Sequence, residues 1–231
     1  MRHRIVCVML FLTCSTHSFS AVSECTELNA SSLKKIQIEI GRSNAAISSI
    51  VDNIIEPEQL ENRELALKLD NTIFKAIKKK FSQRKLNQLL LATSQLGLLK
   101  STEKIIDMGG DPNYFDNRSE FQLTSLHFAS WCGHVSLTQF LLDSGATPSI
   151  APILPFYGRD YSVKTTTLSL AVLGKDYNGG DVNIVKALIG KNANKCAIDE
   201  LGFTPYFYVL HNVTRNKMVL QSIFSECQLN N

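Results

Sequence analysis

Apolar residues recur along most of the chain at the three- and four-residue steps of an α-helix. Leu33, Ile36, Ile40, Ile47, Ile50, Val51, Ile54 and Ile55 predict a helix or helix pair broken at Gly41, with Pro57 as a boundary. Glu58 to Phe81 predicts a further helix, with Leu60, Leu65, Leu67, Leu69, Ile73, Phe74, Ile77 and Phe81 as its apolar positions. The N-terminus is patterned differently. Arg2 and Arg4 precede a continuous apolar run, Ile5 to Leu12, and small or polar residues follow as far as Ser18-Phe19-Ser20. That order of charge, apolar run and small residues predicts an export signal cleaved after Ser20. The run is far shorter than the ~20 residues a membrane-spanning helix needs.

In the second half the pattern repeats. Gly97 and Gly133 are each followed by a paired apolar step, Ile105-Ile106 or Leu141-Leu142, and by a second glycine, Gly109 or Gly145, twelve residues after the first. A third copy ends Ala187-Leu188-Ile189-Gly190-Lys191-Asn192, with Asn192 in the place of the second glycine; Asn also tolerates a left-handed helix cap. Thr124-Ser125-Leu126-His127-Phe128-Ala129, Thr166-Thr167-Leu168-Ser169-Leu170-Ala171 and Thr204-Pro205-Tyr206-Phe207-Tyr208-Val209 form a second recurring mark. A Thr hydroxyl suits a helix N-cap, and the apolar face behind it suits packing on a neighbouring copy.

Together these marks resemble the ankyrin repeat, whose Thr-Pro-Leu-His-x-Ala stands near the start of a turn-plus-two-helices unit of about 33 residues. Segment 124–149 carries the fullest match, with Thr124, Leu126, His127, Ala129, Gly133, His134, Leu141, Leu142, Gly145 and Ala146. The resemblance implies an all-α solenoid of about four helix-pair repeats, the last irregular, preceded by N-terminal helices. The chain then divides into a signal (1–20), a helical cap (21–85) and a repeat domain (86–231). Spacing shows where the repeats depart from regularity. Gly145 to Thr166 is 21 residues and Asn192 to Thr204 is 12, so residues 151–161 hold an insertion. Thr166 to Asn192 is 26 residues against 21 from Thr124 to Gly145, which places a second insertion between helices at Gly174–Asp181. Solenoid insertions go to loops, often on a binding face.

Composition now adds a little. A chain of 231 residues with 44% hydrophobic and 19% charged residues can bury a core. The formal charge of +3 loses Arg2 and Arg4 with the signal, leaving 22 basic side chains against 21 acids. A balance of +1 gives no reason to expect nucleic acid or membrane as partner. The run Lys75, Lys78, Lys79, Lys80, Arg84, Lys85 reads as a solvated helix face. Three N-glycosylation sequons, at Asn29, Asn117 and Asn212, would matter only in a eukaryotic secretory pathway.

No constellation for catalysis, cofactor or metal stands out. His127 and His134 fall where the ankyrin pattern has structural histidines, and no carboxylate or Cys stands at ligand spacing from them. Phosphate-loop, nucleophile-elbow and zinc-protease motifs are absent from the sequence. Cys25, Cys132, Cys196 and Cys227 remain after cleavage, in a compartment that favours disulfides. Cys196 and Cys227, near the ends of the last two repeats, are the pair favoured for a bridge.

The expected function is therefore binding of one protein, by an exported monomer in the periplasm or outside the cell. In the ankyrin pattern the two positions before Gly-His lie on the inner helix, here Trp131 and Cys132. Trp131 is read either as an exposed anchor or as packed under the insertion at Phe156 and Tyr157. Turn tips add Glu120, Phe121 and Leu123, then Phe156, Tyr157, Arg159 and Tyr161, then Glu200, Leu201 and Phe203. His211 and Asn212 continue the groove. An immunity or accessory protein that occludes a toxin or enzyme fits this reading. The alternatives are a secreted effector acting on a host protein by binding, and a redox or enzymatic protein using Cys132 or a pocket under residues 150–165.

Overall fold

The computed structural model describes residues 63–77, 81–117, 122–155, 162–174, 181–211 and 216–227. The expected signal and the helices over 33–55 lie outside those residues. The described elements, in order, are α1 (Arg63–Ala76), α2 (Gln83–Gln95), α3 (Leu99–Asp107), α4 (Ser125–Trp131), α5 (Val135–Asp143), β1 (Ile153–Pro155), β2 (Ser162–Lys164), α6 (Thr167–Leu173), α7 (Val182–Gly190), α8 (Pro205–His211), α9 (Lys217–Ile223) and a 3-10 turn at Ser225–Cys227.

Local chemistry starts and stops these helices. Thr124 and His127 form a capping box at α4: the Thr124 Oγ1 accepts from the His127 N–H, and the Thr124 N–H donates to His127 Nδ1 at 3.0 Å. Thr166 Oγ1 accepts from the Ser169 N–H at 2.9 Å, and the Asp181 carboxylate caps α7 through the Asn183 N–H at 2.7 Å. At the far ends, Gly145 has φ 93° and Asn192 has φ 64°, so Asn192 does adopt the left-handed conformation that its place in the repeat predicts.

The helices pair as α2–α3, α4–α5, α6–α7 and α8–α9. The first helices α2, α4, α6 and α8 stack in one row, and α3, α5 and α7 stack in a second. The fold is thus an all-α repeat solenoid. α2, capped by Ser82, runs through residues 85 and 86, where the border between cap and repeats was expected. The core is a row of shared interfaces: Leu126, Leu137, Leu141, Leu168, Ile184, Val185, Leu188, Val209, Leu220 and Phe224 form one continuous cluster across three repeats. Each such side chain contributes about 1.5–3 kcal/mol of burial.

α1 joins the stack by packing on α3. Leu69, Ile73 and Ala76 enter the cluster of Leu86, Leu89, Leu90 and Ile105. The α3 N-cap residue, Leu98, offers no side-chain acceptor. Asp70 of α1 supplies it instead, accepting from the N–H groups of Lys100 (3.0 Å) and Ser101 (2.9 Å) and from the Ser101 hydroxyl (2.5 Å). The predicted helix over Glu58–Phe81 is shorter, ending at Ala76.

The insertion at 151–161 contains β1, and β2 follows it directly. β1 and β2 pair antiparallel, with Ile153 opposite Lys164, Leu154 opposite Val163 and Pro155 opposite Ser162. Two three-residue strands leave the fold all-α.

Candidate protein-binding face

The turns between repeats are fastened to each other, which makes their tips a rigid edge. His127 sits fully buried at the hub. Its Nδ1 accepts from Thr124, so Nε2 carries the proton and faces the Ile150 carbonyl and the Thr167 hydroxyl, both at 3.0 Å, in the following repeat. Burial pushes the ring down to about 4, against the raising effect of the Ile150 carbonyl, so it is neutral at pH 7. His134 reaches the other way, its Nε2 lying 2.9 Å from the Gln95 carbonyl of the preceding repeat. A Cβ on Gly97 would lie 2.6 Å from the His134 ring, so only glycine admits that approach. Asn113 continues the fastening, donating to the Gly145 carbonyl at 3.0 Å and accepting from the Thr147 N–H at 2.8 Å. Both histidines are thereby engaged in joining repeats.

The best-described stretch of the face runs from Asp199 to His211. The Asp199 carboxylate accepts from the N–H groups of Leu201 and Phe203, both at 2.9 Å, and from the Tyr208 hydroxyl. Burial pushes its carboxyl up from the ordinary carboxylate value, against those donors, and burial with the adjacent Asp199 pushes the Tyr208 phenol up. The turn is held from the other side by β2. Glu200 donates its N–H to the Lys164 carbonyl at 3.0 Å and accepts from the Lys164 N–H at 2.7 Å.

On this frame the half-exposed side chains form a ladder. The Phe203 ring stacks on Phe207 at 3.9 Å, and Phe207 meets His211 at 4.3 Å. Leu201 is half-buried, and Glu200 and His211 are exposed. Burial and then Lys217 hold the His211 ring below its ordinary value. Phe207, Tyr208 and Asp199 were not singled out from sequence. The signal for Phe207 was present, because Phe203, Phe207 and His211 follow the four-residue helical step.

The inner helix favours the packed reading of Trp131 over the exposed one and corrects the placing of Leu123. Trp131 is 9% exposed and packs with Leu123, Leu170 and Phe128. A large apolar indole gains by covering Leu170 of the next repeat and leaving water. Leu123 is buried in the same cluster and is not a turn tip. Cys132 is the half-buried C-cap of α4. Glu120, Phe121, Phe156, Tyr157, Arg159, Tyr161 and Asn212 lie outside the described residues.

Cys196 and Cys227 are joined in a disulfide. The carboxylate of Glu226 lies within 4.8 Å of both sulfurs, the one metal-sized donor cluster among the described residues, but bonded sulfurs are not thiolate donors. No helix among the described residues is long and apolar enough to cross a membrane. A comparison with curated proteins gives no match for the chain. A comparison with family models does: residues 122–151, which hold the Thr124–His127 capping box, match the ankyrin repeat, a repeat that suggests a module of protein–protein interaction, and helix pairs stack on both sides of that match in an all-α repeat solenoid.

Proposed function

We propose that the mature chain is an exported module that holds one partner protein against its turn tips and inner helices. The observation that carries this reading is the edge at 199–211. It presents Leu201, Phe203, Phe207 and His211 partly open to solvent on a turn fixed by Asp199 and Glu200. A rigid edge of aromatic and apolar groups loses little freedom on binding, so contacts convert efficiently into affinity. Occlusion of a toxin or enzyme, as an immunity or accessory protein would do, needs nothing more than such a surface. Export is supported by Arg2, Arg4, the run Ile5–Leu12 and the small residues Ser18 and Ser20.

The test is affinity purification of the tagged full chain from its own host. Intact mass should show an N-terminus at Ala21. A Leu201→Glu, His211→Glu variant should recover roughly tenfold less partner at an unchanged melting temperature. Equal recovery by the variant would remove this edge from the interface.

A further inference from the structure

The fourth repeat, α8–α9, differs from the three before it in what covers it. Leu210 stands where Ser94, Ser130 and Val172 stand in α2, α4 and α6; those three are buried, whereas Leu210 is 38% exposed. Val219 stands where Ser101, Leu137 and Ile184 stand in α3, α5 and α7; they are buried, and Val219 is 47% exposed. The positions that lose cover are the ones a following repeat would bury. Among the described residues the fourth repeat therefore has one repeat interface where the inner repeats have two, and in a solenoid each interface is a nearest-neighbour share of the stability.

A covalent tie holds the fourth repeat beside this uncovered face. Cys196 lies in the turn after α7, half-buried, with its N–H on Asn194 Oδ1 at 3.0 Å. Cys227 ends the 3-10 turn, buried, and its carbonyl accepts from the Thr204 hydroxyl at 3.5 Å. Lys195 pairs with Glu226 at 2.5 Å alongside the bridge. The disulfide spans a separation of 31 residues, and its loop contains all of α8 and α9 together with Leu201, Phe203, Phe207 and His211.

We propose that Cys196–Cys227 is a redox-operated latch: reduction by a dithiol opens the fourth repeat alone and takes the aromatic edge of the binding face with it. The loss of that edge rests on the binding reading above; the opening does not. In the reaction, one thiolate of the dithiol attacks the Cys196 sulfur, the more accessible of the two. The Cys227 sulfur leaves as thiolate and takes a proton from water. The second thiolate of the dithiol then attacks the mixed disulfide and releases Cys196, which is also protonated. Two electrons have passed to the protein, and the reductant ends as a cyclic disulfide. With the loop no longer closed, the unfolded form of the repeat regains the conformational freedom the bridge had removed.

Hydrogen exchange read by mass spectrometry on the full chain tests this without any partner, so its outcome is separate from that of the binding reading. Dithiothreitol should free both thiols, counted by alkylation of the Cys196 and Cys227 peptides. Exchange in 205–211 and 217–224 should then rise roughly a hundredfold, while 125–143 and 167–173 stay protected. A Cys196→Ser variant should exchange fast in the same peptides and respond no further to dithiothreitol. The wild-type chain reduced after folding covers the case in which that variant does not fold. Unchanged exchange in α8 and α9 after both thiols are alkylated overturns the proposal. So does equal acceleration in α4 and α5, or a bridge that dithiothreitol does not reduce in the folded chain.

Discussion

At the scale of single residues, the fold depends on side chains whose neutral or apolar form is what the interior accepts. His127 is the sharpest case. Its folded pKa, about 4, lies below the 6.5 of the unfolded chain. Between those values the unfolded chain binds the extra proton, so stability falls as pH drops through 6.5 and the loss levels off near 4. The slope approaches about 1.4 kcal/mol per pH unit, so roughly 2 kcal/mol is lost by pH 5. Denaturant titrations at pH 7 and pH 5 measure the difference, and His127→Gln should flatten it. Trp131 gives a second reading at this scale. As the lone Trp, packed against Leu123 and Leu170, it should emit blue-shifted fluorescence and resist acrylamide quenching in the folded chain. Trp131→Ala should cost about 3–5 kcal/mol in chemical unfolding. A red-shifted, readily quenched signal would contradict its burial.

At the scale of elements, legibility follows distance along the chain. The Thr caps, the glycine ends and the Asn192 substitution are local, and the structure places them at α4, α6 and α7 as the sequence spacing predicts. The attachment of α1 is not local: Asp70 reaches the amides of Lys100 and Ser101, and no pattern within α1 announces those partners. Asp70→Ala should cost about 1–3 kcal/mol and speed amide exchange in α1 while leaving α6–α7 protected. An α1 that exchanged no faster would show the helix is held by Leu69 and Ile73 alone. The hairpin was illegible for another reason: β1 and β2 are three residues each and include Pro155, too short for an alternating pattern to register. The site was half legible. Leu201, Phe203 and His211 followed from their place in the repeat, whereas the burial of Trp131 depended on Leu170, supplied by the next repeat.

At the scale of the whole molecule, a row of repeats distributes stability instead of concentrating it, and the β1–β2 hairpin turns that into an opportunity. Its two ends are pinned, by pairing with each other and by the two hydrogen bonds between Lys164 and Glu200, and the described core is built from residues on either side of 156–161. A span held at both ends can serve as an interchangeable socket. Foreign peptides of different length and chemistry could be carried there as on a tool holder, since each doubling of loop length costs only about 0.6 kcal/mol. A chain with 156–161 exchanged for a Gly-Ser segment of twice the length should melt within a few degrees of the original, whereas the same exchange at 113–116 should not. A lineage of such chains could thus change what it grips by rewriting one short stretch, with the spine of helices left as it was.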